Sequence, residues 1–146
     1  AIKKNLVPEL MGYNVLKREV KYADVSRIDL LLQNQTAPDC YVEVKCVTLN
    51  RDKTEKNMVE FPDSVTKRGT KHLESLANEV KKGNRSVLIF LVQREDGDIF
   101  SVAGDIDPKY KDAFQNAREI GVEMLCYGCT VSPESISVNR RLKFYN

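Results

Sequence analysis

A mixed α/β fold is what the 146-residue sequence predicts, and two apolar patterns predict it. Residues 86–93, SVLIFLVQ, have the length of a strand and are almost wholly apolar, as in a central strand covered on both faces. Residues 67–82 instead carry apolar residues at helical spacing: Leu73, Leu76, Ala77 and Val80. Because a strand buried on both faces needs helices against it, the two patterns together indicate helices packed on a sheet within one domain.

The first third of the chain predicts one helix followed by three strands. Residues 1–12 form the predicted helix, which Gly12 would end. Its apolar residues at helical spacing are Ile2, Leu6, Leu10 and Met11. Three segments rich in β-branched and aliphatic residues follow, VLKREVKY, SRIDLLLQ and CYVEVKCVTL, and each predicts a strand.

The rest of the chain alternates helices and strands after a long loop. Residues 50–66 are mainly polar and have no clean period, so they predict a loop. The helix over 67–82 and the strand SVLIFLVQ come next, and Pro108 suits the first turn of a second covering helix that ends at Gly121. VEMLCYGCTV and ISVNRRLKF predict further strands. Counted through the first of these two strands, the predicted order is therefore αβββαβαβ.

The composition favours a cytoplasmic protein over a membrane protein. No apolar run approaches the about 20 residues that span a bilayer, and the first residues, AIKKNLVPEL, lack the pattern of a signal peptide. A net charge of +2 and a pI near 8.3 permit binding to a polyanion without announcing it. The chain begins at Ala1 and not at Met, which fits a piece cut from something longer.

The segment YVEVK at positions 41–45 predicts a chemical site. In a strand, Glu43 and Lys45 would share one face, and Asp29 interrupts the apolar run RIDLLL of the preceding strand. If Asp29 and Glu43 are neighbours, two carboxylates converge, and Mg²⁺ or Mn²⁺ would relieve their repulsion. Lys45 would reach the same pocket and offset charge on a phosphate. The alternative is an ordinary strand edge on which Glu43 and Lys45 face water.

An Asp on the second strand and E-x-K on the third resemble the PD-(D/E)xK nuclease superfamily. The literal Pro38-Asp39 lies too close to Glu43 to supply the metal-binding Asp, so Asp29 is preferred. The resemblance implies Asp29, Glu43 and Lys45 as catalytic residues and Asp29, Glu43 and the carbonyl of Val44 as metal ligands. It also implies Glu19 as an accessory carboxylate. The alternative for Glu19 is an exposed strand residue that pairs with a neighbouring Arg or Lys.

Six motifs in order give a closer resemblance: GYNVLKREVKY, SRIDLLL, PDCYVEVKCVTL, FPDSVTKRGTKHL, FLVQR and VSPESI. Together they resemble the C-terminal domain of the sugar fermentation stimulation protein family. This resemblance implies one nuclease-like domain over residues 1–146 of a bacterial or archaeal cytoplasmic protein that binds DNA and regulates sugar (maltose) metabolism. The resemblance also implies an N-terminal OB-like domain in family members, and we expect these 146 residues to be the nuclease-like part without it.

Basic residues gather where the helix over 67–82 begins. Thr66, Lys67, Arg68 and Lys71 lie there, and the N-terminus of a helix favours phosphate, so we expect them to hold a nucleic-acid backbone. His72, the single histidine, would then face the metal pocket as an accessory residue. The alternative is a solvated helix face with a satisfied core histidine.

A second group of basic residues lies in the predicted long loop. Arg51, Lys53 and Lys56 would follow a phosphate backbone, or they simply belong to a mobile charged loop in which acidic residues dilute their field.

Two functions remain open from the sequence. The first is a Mg²⁺-dependent hydrolase of phosphodiesters in DNA or RNA. The second is a non-catalytic, non-specific DNA-binding regulator that keeps only the scaffold of a nuclease. The intact Asp29, Glu43 and Lys45 favour the first, since without a metal the two carboxylates would repel each other.

Overall fold

The structure, a computed structural model, describes residues 7–22, 26–51, 57–94, 96–131 and 136–145. A short 3-10 helix spans Pro8–Leu10. The strands are β1 Val15–Tyr22, β2 Ser26–Asn34, β3 Ala37–Val47, β4 Met58–Phe61, β5 Arg85–Val92, β6 Ile99–Val102, β7 Glu123–Val131, β8 Ile136–Arg141 and β9 Lys143–Phe144. The α-helices are α1 Lys67–Lys81 and α2 Pro108–Ile120.

Six strands form the main sheet in the order β1-β2-β3-β5-β7-β8. The pairs β3–β5 and β5–β7 are parallel, whereas β1–β2, β2–β3 and β7–β8 are antiparallel. The parallel strands β4, β6 and β9 form a second, small sheet. The predicted mixed α/β fold is thus confirmed, and β5 is the buried central strand that SVLIFLVQ predicted, with neighbours on both sides.

The two faces of the main sheet have different covers. On one face, side chains of α1 and α2 pack with alternate residues of β3 and β5, including Leu73, Phe90 and Phe114. On the other face, Val42 and Ile89 pack in a smaller cluster that includes the residues around the 3-10 helix. Since strand residues alternate between faces, Glu43 and Lys45 must lie on the face that the helices cover.

A buried carboxylate ties the first turns of the two helices together. Asp107 caps α2, where its Oδ1 accepts a hydrogen bond from the Tyr110 N–H at 3.0 Å. Its Oδ2 accepts from the Thr66 N–H at 2.9 Å, and Thr66 in turn caps α1 by accepting from the Gly69 N–H at 3.0 Å. The N-terminal turns of α1 and α2 are therefore fixed side by side, which positions the residues of α1 that face the sheet.

The predicted order αβββαβαβ is wrong in three places. The helix over residues 1–12 is reduced to a 3-10 turn in its described part, and residues 1–6 lie outside the described residues. The loop over 50–66 contains β4, which pairs with the unpredicted β6. ISVNRRLKF divides at Leu142 into β8 and β9, which belong to different sheets. Strands of four residues or fewer carry too little pattern to be seen without their partners.

In the described part of the chain, neither helix has the length and apolar character needed to cross a membrane.

Candidate metal and nucleic-acid site

Asp29 lies at the point where the ladder between β2 and β3 ends. The ladder pairs Leu30 with Val42, and in the same register Asp29 would lie opposite Glu43. There the Asp29 side chain replaces a backbone acceptor, since its Oδ2 accepts a hydrogen bond from the Val44 N–H at 2.8 Å. The Asp29 carboxylate therefore lies between β2 and β3 where their backbone pairing ends, beside Glu43.

Glu43, Lys45 and His72 form a compact cluster on the helix-covered face. The Lys45 Nζ lies 3.3 Å from the Glu43 Oε1, and the His72 Nδ1 lies 3.1 Å from the same oxygen. Lys45 Nζ and His72 Nδ1 are themselves 2.9 Å apart. His72 reaches the strand because it lies one turn beyond the capped end of α1, on the face of the helix that packs against the sheet.

The three short distances limit where the protons can be. If the Lys45 ammonium donates to His72 Nδ1, that nitrogen carries no proton and cannot donate to Glu43. If Nδ1 carries a proton, it donates to Glu43 and cannot accept a hydrogen bond from Lys45. The cluster therefore has two hydrogen-bonding arrangements, and Glu43 Oε1 has at least one charged or N–H donor in each of them.

The two carboxylates differ in their pKa. Burial alone would raise the pKa of Glu43, but the hydrogen bond from His72 and the charge of Lys45 outweigh it and lower the pKa overall. Burial raises the pKa of Asp29, with a smaller contribution from the negative charge of Glu43, and the Val44 N–H offsets only part of this. A positive charge added between the strands would favour the ionised form of Asp29.

One oxygen of Glu43 fits a cation. Glu43 is only 3% exposed, and its Oε2 has no hydrogen-bond partner among the described residues. A buried carboxylate oxygen without a partner is costly unless an ion or water satisfies it. No three His, Cys, Asp or Glu side chains of the described residues cluster closely enough to hold a metal alone. The residues present therefore fit a hard cation such as Mg²⁺, which takes one or two carboxylates and completes its shell with other oxygens.

Glu19 lies in the same row of the sheet, one strand further out. The β1–β2 ladder pairs Arg18 with Leu30 and Val20 with Ile28, which places Glu19 opposite Asp29. Glu19 is exposed, has a φ of 52° and forms no ion pair with another described side chain. A positive φ turns a non-glycine residue out of the regular strand path, so the row does not bring this carboxylate into the pocket by strand geometry alone.

The predicted phosphate-binding residues at the start of α1 separate into one structural residue, Thr66, and three basic residues without ion pairs in the described part of the chain. The Thr66 hydroxyl is used as the helix cap and its N–H is bound by Asp107, so Thr66 shapes the helix start. Lys67, Arg68 and Lys71 are exposed and form no ion pair among the described residues. They project from the same helix end whose inner face carries His72, so positive side chains lie near the cluster of Glu43, Lys45 and His72.

Arg51, which the sequence offered as a phosphate ligand or as part of a mobile charged loop, is bound by two carboxylates in the described structure. Its guanidinium donates to both oxygens of Glu60, at 2.6 Å each, and to both oxygens of Asp105, at 2.7 and 2.9 Å. Two carboxylates thus occupy the planar fork, and they raise the pKa of Arg51 further. Lys53 and Lys56 lie outside the described residues.

Tyr110 is a polar residue near the site that the sequence indicated only as part of an apolar helix stripe. It is 0% exposed, and its hydroxyl has no hydrogen-bond partner among the described residues. Burial, and after it the negative charge of Glu43, raises the pKa of Tyr110. No sequence signal distinguishes it, because a tyrosine on an amphipathic helix is usually a core residue.

Comparison with known proteins places this fold among described relatives. Residues 1–135 match the family described as "Sugar fermentation stimulation protein RE domain". The chain is 51% identical over 132 residues to the sugar fermentation stimulation protein homolog of Roseobacter denitrificans, covering 90% of this chain and 55% of the relative. It is 46% identical over 143 residues to the homolog of Maricaulis maris, covering 98% and 60%.

A solved structure is similar over nearly the whole chain. It is described as the structure of Pyrococcus furiosus SfsA in complex with Ca²⁺, and it superposes with a TM-score of 0.86 at 27% identity. The match covers 99% of this chain and 61% of that one. The chain thus spans somewhat over half the length of the proteins that it resembles.

Proposed function

Because the chain belongs to the sugar fermentation stimulation protein family, we propose that its domain is a PD-(D/E)xK nuclease-like unit that hydrolyses phosphodiesters of DNA or RNA in the cytoplasm with Mg²⁺ or Mn²⁺. One observation carries the proposal: buried Glu43 keeps an unpartnered oxygen beside Asp29, at the point where two strands part. Such a gap between carboxylates suits a divalent cation better than any side chain.

Asp29, Glu43 and the Val44 carbonyl would hold the cation. The N–H and C=O of one strand residue point to the same side, so the Val44 carbonyl faces the β2 side, as its N–H does in bonding Asp29. When bound, such a cation polarises a phosphoryl oxygen and lowers the pKa of a coordinated water. The Ca²⁺ in the description of the Pyrococcus protein is another hard, oxygen-seeking cation, and it supports a cation site in this fold.

Lys45 and His72 would act from the protein side of the pocket. The Lys45 side chain keeps 17% of its surface exposed, so its ammonium can reach a phosphate or a water at the mouth while its stem stays packed. Its charge would offset the charge that develops on the phosphate. His72 lies 2.9 Å from the Lys45 Nζ and would hold the lysine in place. Glu19 stays a proposed accessory carboxylate. Its exposed side chain would have to rotate toward Asp29 to take part.

Lys67, Arg68 and Lys71 would bind the backbone of the nucleic acid. All three are exposed at the N-terminal end of α1, where the helix dipole adds to their positive charge. Thr66 would contribute by fixing this helix end. Contacts of this kind position a substrate without reading its sequence, so we expect binding to be largely independent of base sequence.

Calorimetric titration of Mg²⁺, Mn²⁺ and Ca²⁺ into the protein tests the proposal, together with cleavage assays on single- and double-stranded DNA and RNA. We expect Asp29→Asn and Glu43→Gln each to abolish cation binding and cleavage, and Lys45→Met to lower cleavage by about 100-fold or more while the cation still binds. Glu119→Gln is the matched control, because Glu119 is an exposed carboxylate near the far end of α2. A parent protein that binds no cation would contradict the proposal.

A non-catalytic DNA-binding regulator of sugar (maltose) metabolism is the second candidate, and one observation favours it. Lys45 and His72 already contact Glu43 Oε1, and Asp29 already accepts a backbone hydrogen bond. Groups of the protein itself therefore offset part of the repulsion that the sequence predicted between two metal-free carboxylates. DNA retention without cation binding, and unaffected by Asp29→Asn, is the result that would favour this candidate.

A further inference from the structure

Two buried polar atoms near the pocket lack partners, and they belong to different elements. One is Oε2 of Glu43 on β3, and the other is the hydroxyl of Tyr110 on α2. Both residues are at most 3% exposed, so bulk water does not satisfy either atom. Buried polar groups without a partner are rare in folded proteins, and two of them in one region call for a common explanation.

The packing around Tyr110 places its ring beside the pocket. A side chain added at Gly69 would put its Cβ 3.0 Å from the Tyr110 Cε2, so the ring lies against α1 one turn before His72. The Tyr110 ring also meets the Phe61 ring edge-on at 5.4 Å between centroids, and Phe61 lies 5.5 Å from Phe90. Phe90 is the residue opposite Lys45 in the β3–β5 ladder.

The backbone around Tyr110 is fixed as firmly as its ring. The Tyr110 N–H donates to Asp107, which also binds the start of α1. The backbone of α2 at Tyr110 is therefore fixed relative to the start of α1. The charge of Glu43 also raises the pKa of Tyr110, second only to burial, as expected for groups that share one buried space.

We propose that one buried water links the Tyr110 hydroxyl to Glu43 Oε2, and that Tyr110 is thereby a positioning residue for the Glu43 carboxylate. The hydroxyl donates to the water, and the water donates to Oε2. A carboxylate oxygen has two lone-pair directions, so Oε2 keeps one for a cation. With His72 and Lys45 at Oε1, the carboxylate is then held at both oxygens. The effect on cation binding rests on the function proposed above, whereas the link between the two residues does not.

A double-mutant cycle on the metal-free protein tests the link. Tyr110→Phe removes only the hydroxyl, and we expect it to lower the folding equilibrium constant about 3- to 10-fold. In a Glu43→Met background the same change should have less than about a 2-fold effect, because the acceptor is gone. If Glu43→Met does not fold, the Glu43→Met, Lys45→Met double variant removes anion and cation together and serves as the background. Tyr145→Phe, at an exposed tyrosine, is the control.

The direction of the stability change in Tyr110→Phe decides whether the water link exists. If the hydroxyl were an orphan, Tyr110→Phe would leave stability unchanged or raise it, since a buried unsatisfied donor is removed. That result, or an equal loss in both backgrounds, would overturn the link.

Titration of Mn²⁺ adds a measurement that would not change if Tyr110 only contributed to core packing. Tyr110→Phe should weaken Mn²⁺ binding about 10-fold, as loss of an outer partner of a ligand does, while Tyr145→Phe leaves it unchanged. If Tyr110→Phe binds Mn²⁺ as the parent does, Tyr110 does not position the carboxylate for a cation. If the parent binds no Mn²⁺, the proposed function fails, and the cycle still decides the link.

Discussion

Glu43 and Glu60 are both buried beside cations, but their partners leave them in different states. Glu60 is 6% exposed, and the fork of Arg51 binds both of its oxygens. Glu43 is 3% exposed, and its neighbours Lys45 and His72 both contact Oε1 and leave Oε2 without a partner among the described residues. Both oxygens of Glu60 are therefore occupied, whereas Oε2 of Glu43 can still accept a ligand.

The difference follows from the geometry of the cations. A guanidinium presents parallel N–H groups that match a carboxylate edge to edge, so it saturates both oxygens and fixes the pair. A lysine ammonium is a point charge on a flexible stem, and one imidazole nitrogen supplies a single bond. Arg51 thus closes a structural clamp from β4 to the turn before α2, whereas Lys45 and His72 balance the charge of Glu43 and leave room for a ligand.

The loss of stability on removing Arg51 should be larger than the loss on removing Lys45, because the Arg51 cluster is structural and the Lys45 cluster is the proposed binding site. Arg51→Ala leaves Glu60 buried without its partner, and we expect the free energy of unfolding to fall by about 3 kcal/mol. Lys45→Met should cost less than about 1 kcal/mol, because His72 can still donate to Glu43. Urea unfolding in the presence of a chelator measures both changes.

Arg94→Ala is the control for the loss of an arginine, since Arg94 forms an exposed pair with Asp96 and should not affect stability. Equal losses for Arg51→Ala and Lys45→Met would mean that the two clusters are both structural, and the contrast between them would fail.

The pH dependence of stability should differ in sign between Asp29 and Glu43. The folded pKa of Asp29 is raised above 3.8, so its contribution is present below that pH and is lost as the pH rises through the folded value. The folded pKa of Glu43 is lowered below 4.5, so its contribution is present above that pH and is lost as the pH falls through the folded value.

Two isosteric substitutions check these signs. As the pH rises from about 3 to about 7, the stability of Asp29→Asn should increase relative to the parent, and that of Glu43→Gln should decrease. Unfolding curves across this range with a chelator give both differences. Differences that run in the same direction would show that the two carboxylates share one environment, against the separate partners seen here.

The sequence predicted which side chains lie together better than it predicted the elements around them. Strand alternation and the order of β2 and β3 suffice to bring Asp29, Glu43 and Lys45 together, because those rules act over a few residues. The partner of Arg51 could not be predicted in this way, since Asp105 is 54 positions away and its approach depends on the pairing of β4 with β6. The contact of His72 with Glu43 likewise depends on how α1 is rotated against the sheet.

The smallest effect that we predict is the loss of nucleic-acid affinity when a basic residue at the start of α1 is removed. It extends the comparison between side chains with and without partners. Arg68 and Lys71 are exposed and have no carboxylate partner among the described residues, unlike Arg51. Each should therefore be able to neutralise about one phosphate. Arg68→Ala and Lys71→Ala should each reduce the slope of log affinity against log salt by about 0.9 on double-stranded DNA.

Lys81→Ala is the matched control, because Lys81 is an exposed lysine in the last turn of the same helix. Fluorescence anisotropy at several salt concentrations measures the slopes with catalysis blocked by a chelator. If Lys81→Ala reduces the slope as much as Lys71→Ala does, DNA is attracted by the charge of the whole helix. A change confined to Arg68 and Lys71 instead places the phosphates at the helix end beside His72, within reach of the pocket that holds Glu43.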